Sequence, residues 1–287
     1  MPQLTKQQKR ERLIRHRLEQ SIRLSTAWLR ALPDFLIIGG LKCGTTSLYQ
    51  YLCTHPQIHA AMRKELFYFD RFFDRGTYWY RSHFPMDFNH QNWLTGEASP
   101  HYIQHPLAAE RIRELMPNIK LIVLLRDPVL RLLSHYKHNV RNGWETLDFA
   151  AAMEAEESRV AQTLQDTVDH PEVFEFDALK FSYFRKGLYA DQLVRWYSVF
   201  PPAQILVLQS ESLFRNPRAV VDQTLHFLGL EPHECDEFPQ FNAATNEVEL
   251  PTDVGDIAAR YAEPNERLYQ LINCRFGWME SGNPMPG

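Results

Sequence analysis

The chain has 287 residues, a length that fits one large α/β domain or two small ones. Hydrophobic residues make up 44% of it, which is enough to build a sizeable core. No apolar run approaches the ~20 residues that a membrane-spanning helix needs, and the N-terminus lacks the pattern of a secretory signal. Four cysteines without CxxC spacing indicate neither a zinc site nor a disulfide framework, so we expect a reducing, cytoplasmic setting.

Charge is unevenly distributed along the chain. The net value is −4, yet residues 1–30 carry eight Lys or Arg against two Glu, so the remainder is strongly acidic, which argues against nucleic acid as a partner. Ile14, Leu18, Ile22 and Ser25 fall at helical spacing and predict a basic amphipathic helix. We favour a helix whose apolar face packs on its own domain. Docking on a membrane surface or on a partner protein is the alternative.

In chain order, the next strong pattern is the apolar run Phe35–Ile38, which breaks into a glycine-bearing loop and then a helix, Thr46–Cys53. A turn from strand to helix presents backbone N–H groups and the positive end of the helix dipole to an anion. The loop adds the Lys42 ammonium and three hydroxyls, those of Thr45, Thr46 and Ser47. We therefore predict that it binds a phosphate-like group.

Short apolar runs then alternate with longer helical periods, a pattern typical of a parallel α/β sheet. Further strands are predicted at Trp93–Glu97, Ile119–Leu125 and Ile205–Leu208. Helices are predicted at residues 106–116, from 128 onward, and at 149–166, 188–199, 217–229 and 253–273. The segment 231–252 has few periodic features, and we expect it to wrap the surface. The resulting prediction is one domain, residues 31–287, preceded by an N-terminal arm, residues 1–30.

A second anion-binding position is predicted at the end of the strand Ile119–Leu125. Arg126 follows this strand directly, Asp127-Pro128 then opens a helix, and Ser134 lies about two turns further on. Ligands of open α/β sheets lie beyond the carboxyl ends of the strands, where Lys42 also falls. Two such positions imply a ligand with two separated phosphate groups. The alternative for Arg126 is an ion pair with a carboxylate beside a plain capped helix.

These loops resemble the two nucleotide-binding motifs of sulfotransferases that use 3′-phosphoadenosine 5′-phosphosulfate (PAPS). The motifs here are Lys42-Cys-Gly-Thr-Thr-Ser47 and the segment Leu121–Tyr136. More narrowly, an ordered set of segments resembles the heparan sulfate type of sulfotransferase: Arg63–Asp70, Gly96–Tyr102, Arg185–Leu193, Phe227–Leu230, Tyr261–Tyr269 and Phe276–Trp278. The resemblance runs from about residue 33 to 279.

The resemblance implies an α/β fold with a single P-loop-like domain, in which helices flank a central parallel β-sheet. It also implies an enzyme that transfers a sulfuryl group from PAPS to a hydroxyl or amine of an acceptor. By resemblance, the 3′-phosphate is held by Arg126 and Ser134. The 5′-phosphosulfate is held by the first loop, through Lys42, Cys43, Gly44, Thr45, Thr46 and Ser47. No metal is expected.

The resemblance also assigns the chemistry. Glu65 would be the base that takes the proton of the acceptor, and Lys42 would stabilise the charge on the leaving phosphate. In-line displacement requires both groups, because a nucleophile must lose its proton while charge develops on the leaving group. The acceptor would lie near the Gly96–Tyr102 segment, against Glu97, Ser99 and Tyr102. From the sequence alone, the alternative for Glu65 is a salt bridge with a neighbouring basic residue, Arg63 or Lys64.

Two positions depart from the heparan sulfate type. Ala98 stands where a lysine is common, and residues 241–247 lack the usual basic and glycine residues that cover the adenosine. Together with the acidic composition, these departures favour a smaller or uncharged acceptor, such as a lipid-linked sugar, a glycoside or a small metabolite. Two other functions stay open: a P-loop nucleotide kinase or phosphotransferase, and a non-catalytic nucleotide-binding module. In P-loop enzymes the lysine directly follows the last glycine, whereas Lys42 precedes Gly44.

Overall fold

A single parallel β-sheet forms the centre of the fold. The computed structural model describes residues 19–169, 178–233, 237–239 and 254–278. The five strands pair in the order β2-β3-β1-β4-β5, and every pair is parallel. Their bounds are β1 Phe35–Gly39, β2 Ile58–Ala60, β3 Leu94–Ala98, β4 Lys120–Leu125 and β5 Ile205–Gln209. The predicted fold class is confirmed, and so are the four predicted strands, each to within one residue.

Strand β2 was not predicted, because three residues are too short to show a period. Only Ile58 in it is buried, while His59 and Ala60 are exposed. The central strands β1 and β4 are buried on both faces, apart from the half-buried Lys120. A continuous run of apolar residues is what a parallel sheet covered on both sides requires, and this pattern made β1 and β4 easy to recognise.

Helices cover both faces of the sheet. Their bounds are α1 Thr45–Leu52, α2 Gly76–Arg81, α3 Ala108–Leu115, α4 Pro128–Arg141, α5 Phe149–Asp169, α6 Tyr189–Val199, α7 Ser210–Arg215, α8 Pro217–Leu228 and α9 Gly255–Ile272. The predicted helices are confirmed to within three residues at each end, and the short helices α2 and α7 were not predicted. Asp127 caps α4 as expected, since its carboxylate accepts from the backbone N–H of Val129 and Leu130.

Alternate residues of each central strand contribute to two hydrophobic cores. Leu36 and Ile38 of β1 pack into one core together with residues of α3, α6 and α9. Phe35 and Ile37 pack into the other core with residues of α1 and α8. This alternation follows from the two-residue period of a strand. The sheet is therefore the middle layer of three, and its strand ends stay open at the edge.

Two arginines attach the end of the N-terminal arm to the domain. Residues 19–25 are helical, and Arg23 donates to the carbonyl groups of Ser82 and Phe84. Arg30 donates to the same Phe84 carbonyl. Ile22, which we expected on a packed apolar face, is 65% exposed, so that expectation is wrong at this position. The remainder of the predicted helix lies outside the described residues, and its docking role stays a prediction.

None of the helices within the described ranges is long and apolar enough to cross a membrane.

Replacement of Gly96 in β3 tests how closely this strand packs against Phe35 of β1. A Cβ atom at this position would lie 2.5 Å from the ring of Phe35, its partner in β1. We expect Gly96→Ala to lower the free energy of unfolding by about 1–3 kcal/mol, because the ring has to move out of a close-packed core. Thermal unfolding followed by circular dichroism measures the change. The matched control is Gly277→Ala, where a Cβ meets nothing within 4 Å; equal losses in both variants would contradict the prediction.

Candidate active site

A cleft of about 580 Å³ lies at the carboxyl edge of the sheet. The loops that follow β1 and β4 form one part of its wall, and the loop after β2 and one side of α4 form another. Because β1 pairs with both β3 and β4, the three loops that leave these strands are adjacent. The cleft is thus where a doubly wound sheet places its ligand.

The loop between β1 and α1 has a conformation that suits an anion. Gly44 has a φ of 88°, and a Cβ there would lie 3.1 Å from the Phe214 ring, so only glycine fits without strain. Gly44 is also the N-cap of α1 and provides no side chain to cap the helix. The first turn of α1, with Thr45, Thr46 and Ser47, lines the cleft. An α-helix that begins in this way offers its N–H groups to a ligand.

Hydrogen bonds fix this loop to the neighbouring strand ends. The backbone N–H of Gly40 donates to the carbonyl of Leu124 in β4. The Ser210 hydroxyl, just after β5, donates to the Cys43 carbonyl at 2.6 Å. The Arg126 guanidinium donates to the Lys42 carbonyl at 3.3 Å. The loop therefore keeps its shape through contacts with two other segments of the chain, the end of β4 and the residue after β5.

Cys43 does not present its side chain to the cleft, unlike the other predicted residues of this loop. Its thiol is completely buried in the core that contains Leu48, and Sγ lies 3.9 Å from the Tyr189 hydroxyl. Burial raises the pKa of this thiol, so it stays neutral. The prediction of Cys43 as a ligand-binding residue is therefore corrected for its side chain, since it points into the protein.

Lys42 and Arg126 lie together in the cleft. Desolvation, followed by the nearby positive charges of Arg141 and Arg126, lowers the Lys42 pKa to about 8. Arg126 lies over the Phe214 ring at 5.8 Å from its centroid, and its own carbonyl accepts from the Tyr189 hydroxyl. Within the described residues, neither Lys42 nor Arg126 forms an ion pair, so the alternative of a carboxylate partner for Arg126 finds no support.

Positive charge is concentrated around the whole cleft. Ser134 lines it as predicted, and so do six basic residues: Lys42, Arg71, Arg126, Arg141, Lys180 and Lys186. Glu65 is the single carboxylate among the described lining residues. Burial lowers the Lys186 pKa to about 7, and burial next to Lys42 and Arg141 lowers the His138 pKa to about 4. No sequence pattern indicated Arg71, Arg141 and Lys180 as residues of the cleft, because they lie on separate elements of the fold.

Glu65 reaches the cleft from the loop after β2. It has a φ of 61°, and its backbone N–H donates to the carbonyl of Ala98 at the end of β3. Its carboxylate lines the cleft with 37% of the side chain exposed, while Oε1 accepts from the Lys64 ammonium at 2.6 Å. Both interpretations from the sequence therefore apply, because the residue forms a salt bridge and also faces the cleft.

The residues predicted to contact the acceptor lie beneath the cleft. Glu97 and Ser99 have no exposed surface, nor has Tyr102, and none of them lines the cleft. They form hydrogen bonds with one another and with the backbone of the loop at residues 61–72, called the Glu65 loop below. A direct contact with the acceptor is therefore corrected to a supporting position below Glu65.

Of the two positions that depart from the heparan sulfate type, the structure describes only Ala98. Ala98 is fully buried, and its side chain packs into the core that contains Phe35 and Ile37. Residues 241–247 lie outside the described residues. In the part of the chain that is described, no group of three His, Cys, Asp or Glu side chains is placed to hold a metal ion.

Comparisons with known proteins agree on one family. A model of the sulfotransferase domain matches residues 32–243, which is most of the chain. The chain therefore belongs to the sulfotransferase family, close to the heparan sulfate type, and is a sulfotransferase.

Individual relatives show how far the similarity extends. The chain is 28% identical to the membrane-associated sulfotransferase kil1 of Dictyostelium discoideum, over 87% of this chain and 67% of that protein. It is 31% identical to human heparan sulfate glucosamine 3-O-sulfotransferase 6, over 87% of this chain and 74% of that protein. Among solved structures, a sulfotransferase from Alicyclobacillus acidocaldarius superimposes with a TM-score of 0.67 at 30% identity, over 86% of this chain and 98% of that one.

Proposed function

We propose that this sulfotransferase uses PAPS as its donor and transfers the sulfuryl group to a hydroxyl or amine of a carbohydrate-type acceptor. The observation that carries the proposal is the cleft itself, where the uncapped start of α1 and Lys42 adjoin Arg126 and Ser134. These two groups of residues suit the 5′-phosphosulfate and the 3′-phosphate of one nucleotide. Donors on two loops favour such a ligand over ATP, whose phosphates form a single chain.

The residues of the cleft fit this donor. The first turn of α1 and the Lys42 ammonium provide N–H donors and charge for the 5′ side. Arg126 provides a planar guanidinium and Ser134 a hydroxyl for the 3′-phosphate. Lys42 and Glu65 both have left-handed backbones, with φ of 66° and 61°. Strain of this kind in non-glycine residues persists only where the surroundings enforce it, and it often occurs at functional sites.

Two residues of the chain have separate roles in the proposed transfer. When bound, PAPS supplies the sulfuryl group and 3′,5′-bisphosphoadenosine (PAP) is its product. Glu65 accepts the proton of the acceptor oxygen or nitrogen while that atom forms its bond to sulfur. Lys42 stabilises the negative charge that the 5′-phosphate oxygen gains as its bond to sulfur breaks. Lys64 bonds Oε1 of Glu65, and we assign the proton transfer to the other oxygen, Oε2.

The charge of the cleft bears on the acceptor. The acidic composition favoured a small or uncharged molecule, but Arg71, Arg141 and Lys180 bring positive charge to the cleft beyond the residues assigned to the donor. Trp144 adds an exposed ring beside Lys180, whose ammonium lies 4.5 Å from the ring centroid. We therefore propose a carbohydrate acceptor that carries anionic groups. ³⁵S transfer to heparan sulfate, compared with an uncharged oligosaccharide such as maltotetraose, tests this preference.

Titration calorimetry with PAP tests the donor. We expect PAP to bind more tightly than Mg²⁺–ATP, because its phosphates are separated like the two groups of donors in the cleft. Lys42→Ala and Arg126→Ala should each weaken PAP binding at least tenfold, since each removes a charged hydrogen bond worth about 1.5–3 kcal/mol. The surface variant Arg218→Ala, whose side chain pairs with Asp222, is the control. Preference for Mg²⁺–ATP would instead contradict PAPS as the donor.

The pH dependence of PAP binding tests Lys42. Its pKa of about 8 means that the ammonium loses its proton as the pH rises through 8. PAP should favour the protonated form, so the affinity should fall between pH 7.5 and 9.5, and binding at pH 9 should take up a proton. Calorimetry in buffers of different ionisation enthalpy measures that uptake. Lys42→Arg stays charged throughout and should lose the Lys42 contribution to this dependence; an unchanged profile would contradict the assignment.

Replacement of Glu65 tests the base. We expect Glu65→Gln to lower kcat by about 10²–10⁴-fold, the usual contribution of a positioned base, while PAP still binds. The measurement is ³⁵S transfer from labelled PAPS to heparan sulfate. Lys64→Ala is the matched control, because it removes the same ion pair and leaves the carboxylate. Equal losses in the two variants would reduce Glu65 to a salt-bridge residue, and full activity of Glu65→Gln would remove the assignment.

A further inference from the structure

Three consecutive backbone N–H groups of the Glu65 loop point to side chains on and just after β3. Leu66 N–H donates to the Glu97 carboxylate at 3.3 Å, Phe67 N–H donates to the Ser99 hydroxyl at 3.3 Å, and Tyr68 N–H donates to the Tyr102 hydroxyl at 2.9 Å. Together with the bond from Glu65 N–H to the Ala98 carbonyl, these bonds engage four successive amides. No regular secondary structure satisfies these groups, so the side chains take its place.

The hydroxyl groups of Ser99 and Tyr102 connect the loop amides to the Glu97 carboxylate. Ser99 Oγ donates to Glu97 Oε2 at 2.8 Å, and the Tyr102 hydroxyl donates to Oε1 at 2.8 Å. Each hydroxyl thus accepts from the loop on one side and donates to the carboxylate on the other. Tyr80 adds a further donor to Oε1 at 3.0 Å. All three loop bonds end, directly or through one hydroxyl, on the two oxygens of Glu97.

The arrangement around Glu97 suits a side chain that only accepts hydrogen bonds. Four donors converge on the Glu97 oxygens, and a carboxylate has enough lone pairs for all of them. A glutamine would place its own N–H₂ group against two of these donors. Because the side chain is completely buried, water could not replace a lost bond, and an unsatisfied group there is costly.

We propose that Glu97 is a positioning residue, which with Ser99 and Tyr102 holds the loop backbone so that Glu65 faces the cleft. The loop needs such support, because Glu65 and Phe67 both have left-handed backbones, with φ of 61° and 53°. This region is unfavourable for a non-glycine residue, because its Cβ atom comes too close to the carbonyl oxygen that follows. Bonds to the next amides offset this unfavourable contact and fix the direction of the Glu65 side chain. The proposal rests on the proposed function only in its consequence for sulfuryl transfer.

Two tyrosines provide a matched test. Tyr102→Phe and Tyr80→Phe each remove one buried hydroxyl that donates to Glu97 Oε1, and both leave the ring in place. Only the Tyr102 hydroxyl also accepts from a loop amide. If these bonds merely stabilise the core, the two variants behave alike. If they position the loop, only Tyr102→Phe releases it.

Hydrogen–deuterium exchange measures this release without reference to any substrate. In Tyr102→Phe we expect the amides of residues 66–68 to exchange about fivefold faster, as the loss of a typical net hydrogen bond predicts. In Tyr80→Phe they should stay within about twofold of the original chain, and the amides of β4, which report opening of the whole fold, should change to the same extent in both variants. Ser99→Ala, which acts through Phe67 N–H, provides a second variant should Tyr102→Phe fold poorly. Equal exchange in the tyrosine pair would overturn the proposal.

Transfer kinetics then connect the loop to catalysis. With ³⁵S-labelled PAPS and heparan sulfate as the probe, Tyr102→Phe should lower kcat by up to about fivefold, the effect of one lost hydrogen bond, while the KM for PAPS stays unchanged. Tyr80→Phe should keep most of its kcat. If Glu65→Gln is fully active, the proposed base fails, yet faster loop exchange in Tyr102→Phe would still support the positioning contacts. If exchange in residues 66–68 is unaffected while Glu65→Gln is inactive, the positioning proposal alone fails.

Discussion

The pairing of β1 with β3 on one side and β4 on the other is the constraint on which the site depends. Parallel strands end at the same edge, so this pairing brings together loops that lie far apart in the chain. The loop after β1, Arg126 after β4 and the segment after β3 all begin there. The two hydrophobic cores that cover the sheet make this edge rigid, because every residue of β1 is buried.

At the carboxyl edge of the sheet, two residues with strained backbones are held in place by hydrogen bonds. Lys42 and Glu65, the two residues to which we assign the chemistry, both have a left-handed backbone that non-glycine residues rarely adopt. Each is held by a hydrogen bond to another segment: Arg126, just after β4, donates to the Lys42 carbonyl, and Glu65 N–H donates to the carbonyl of Ala98 in β3. The stability of the sheet thus maintains local conformations that the loops alone would not keep, which agrees with a preorganised site.

Charge shows how composition can mislead about a site. The chain is acidic overall, and that observation favoured an uncharged acceptor. The fold nevertheless brings six basic residues and one carboxylate to the described lining of the cleft. Net charge sums over the whole surface, whereas a ligand responds to the few charges that surround it at low dielectric. Desolvation in the cleft, followed by the crowding of positive groups, depresses the Lys42 pKa.

Local sequence patterns were sufficient to predict four of the five strands, most helices and the family, because these depend on apolar runs, helical periods and short motifs. They also identified Glu65 and Ser134 as lining residues, through motifs. Packing between distant segments directs Cys43 into the core, brings Arg141 and Lys180 to the cleft and places Glu97 beneath it. The direction of a side chain depends on which residues pack against it, and those neighbours are distant in the chain.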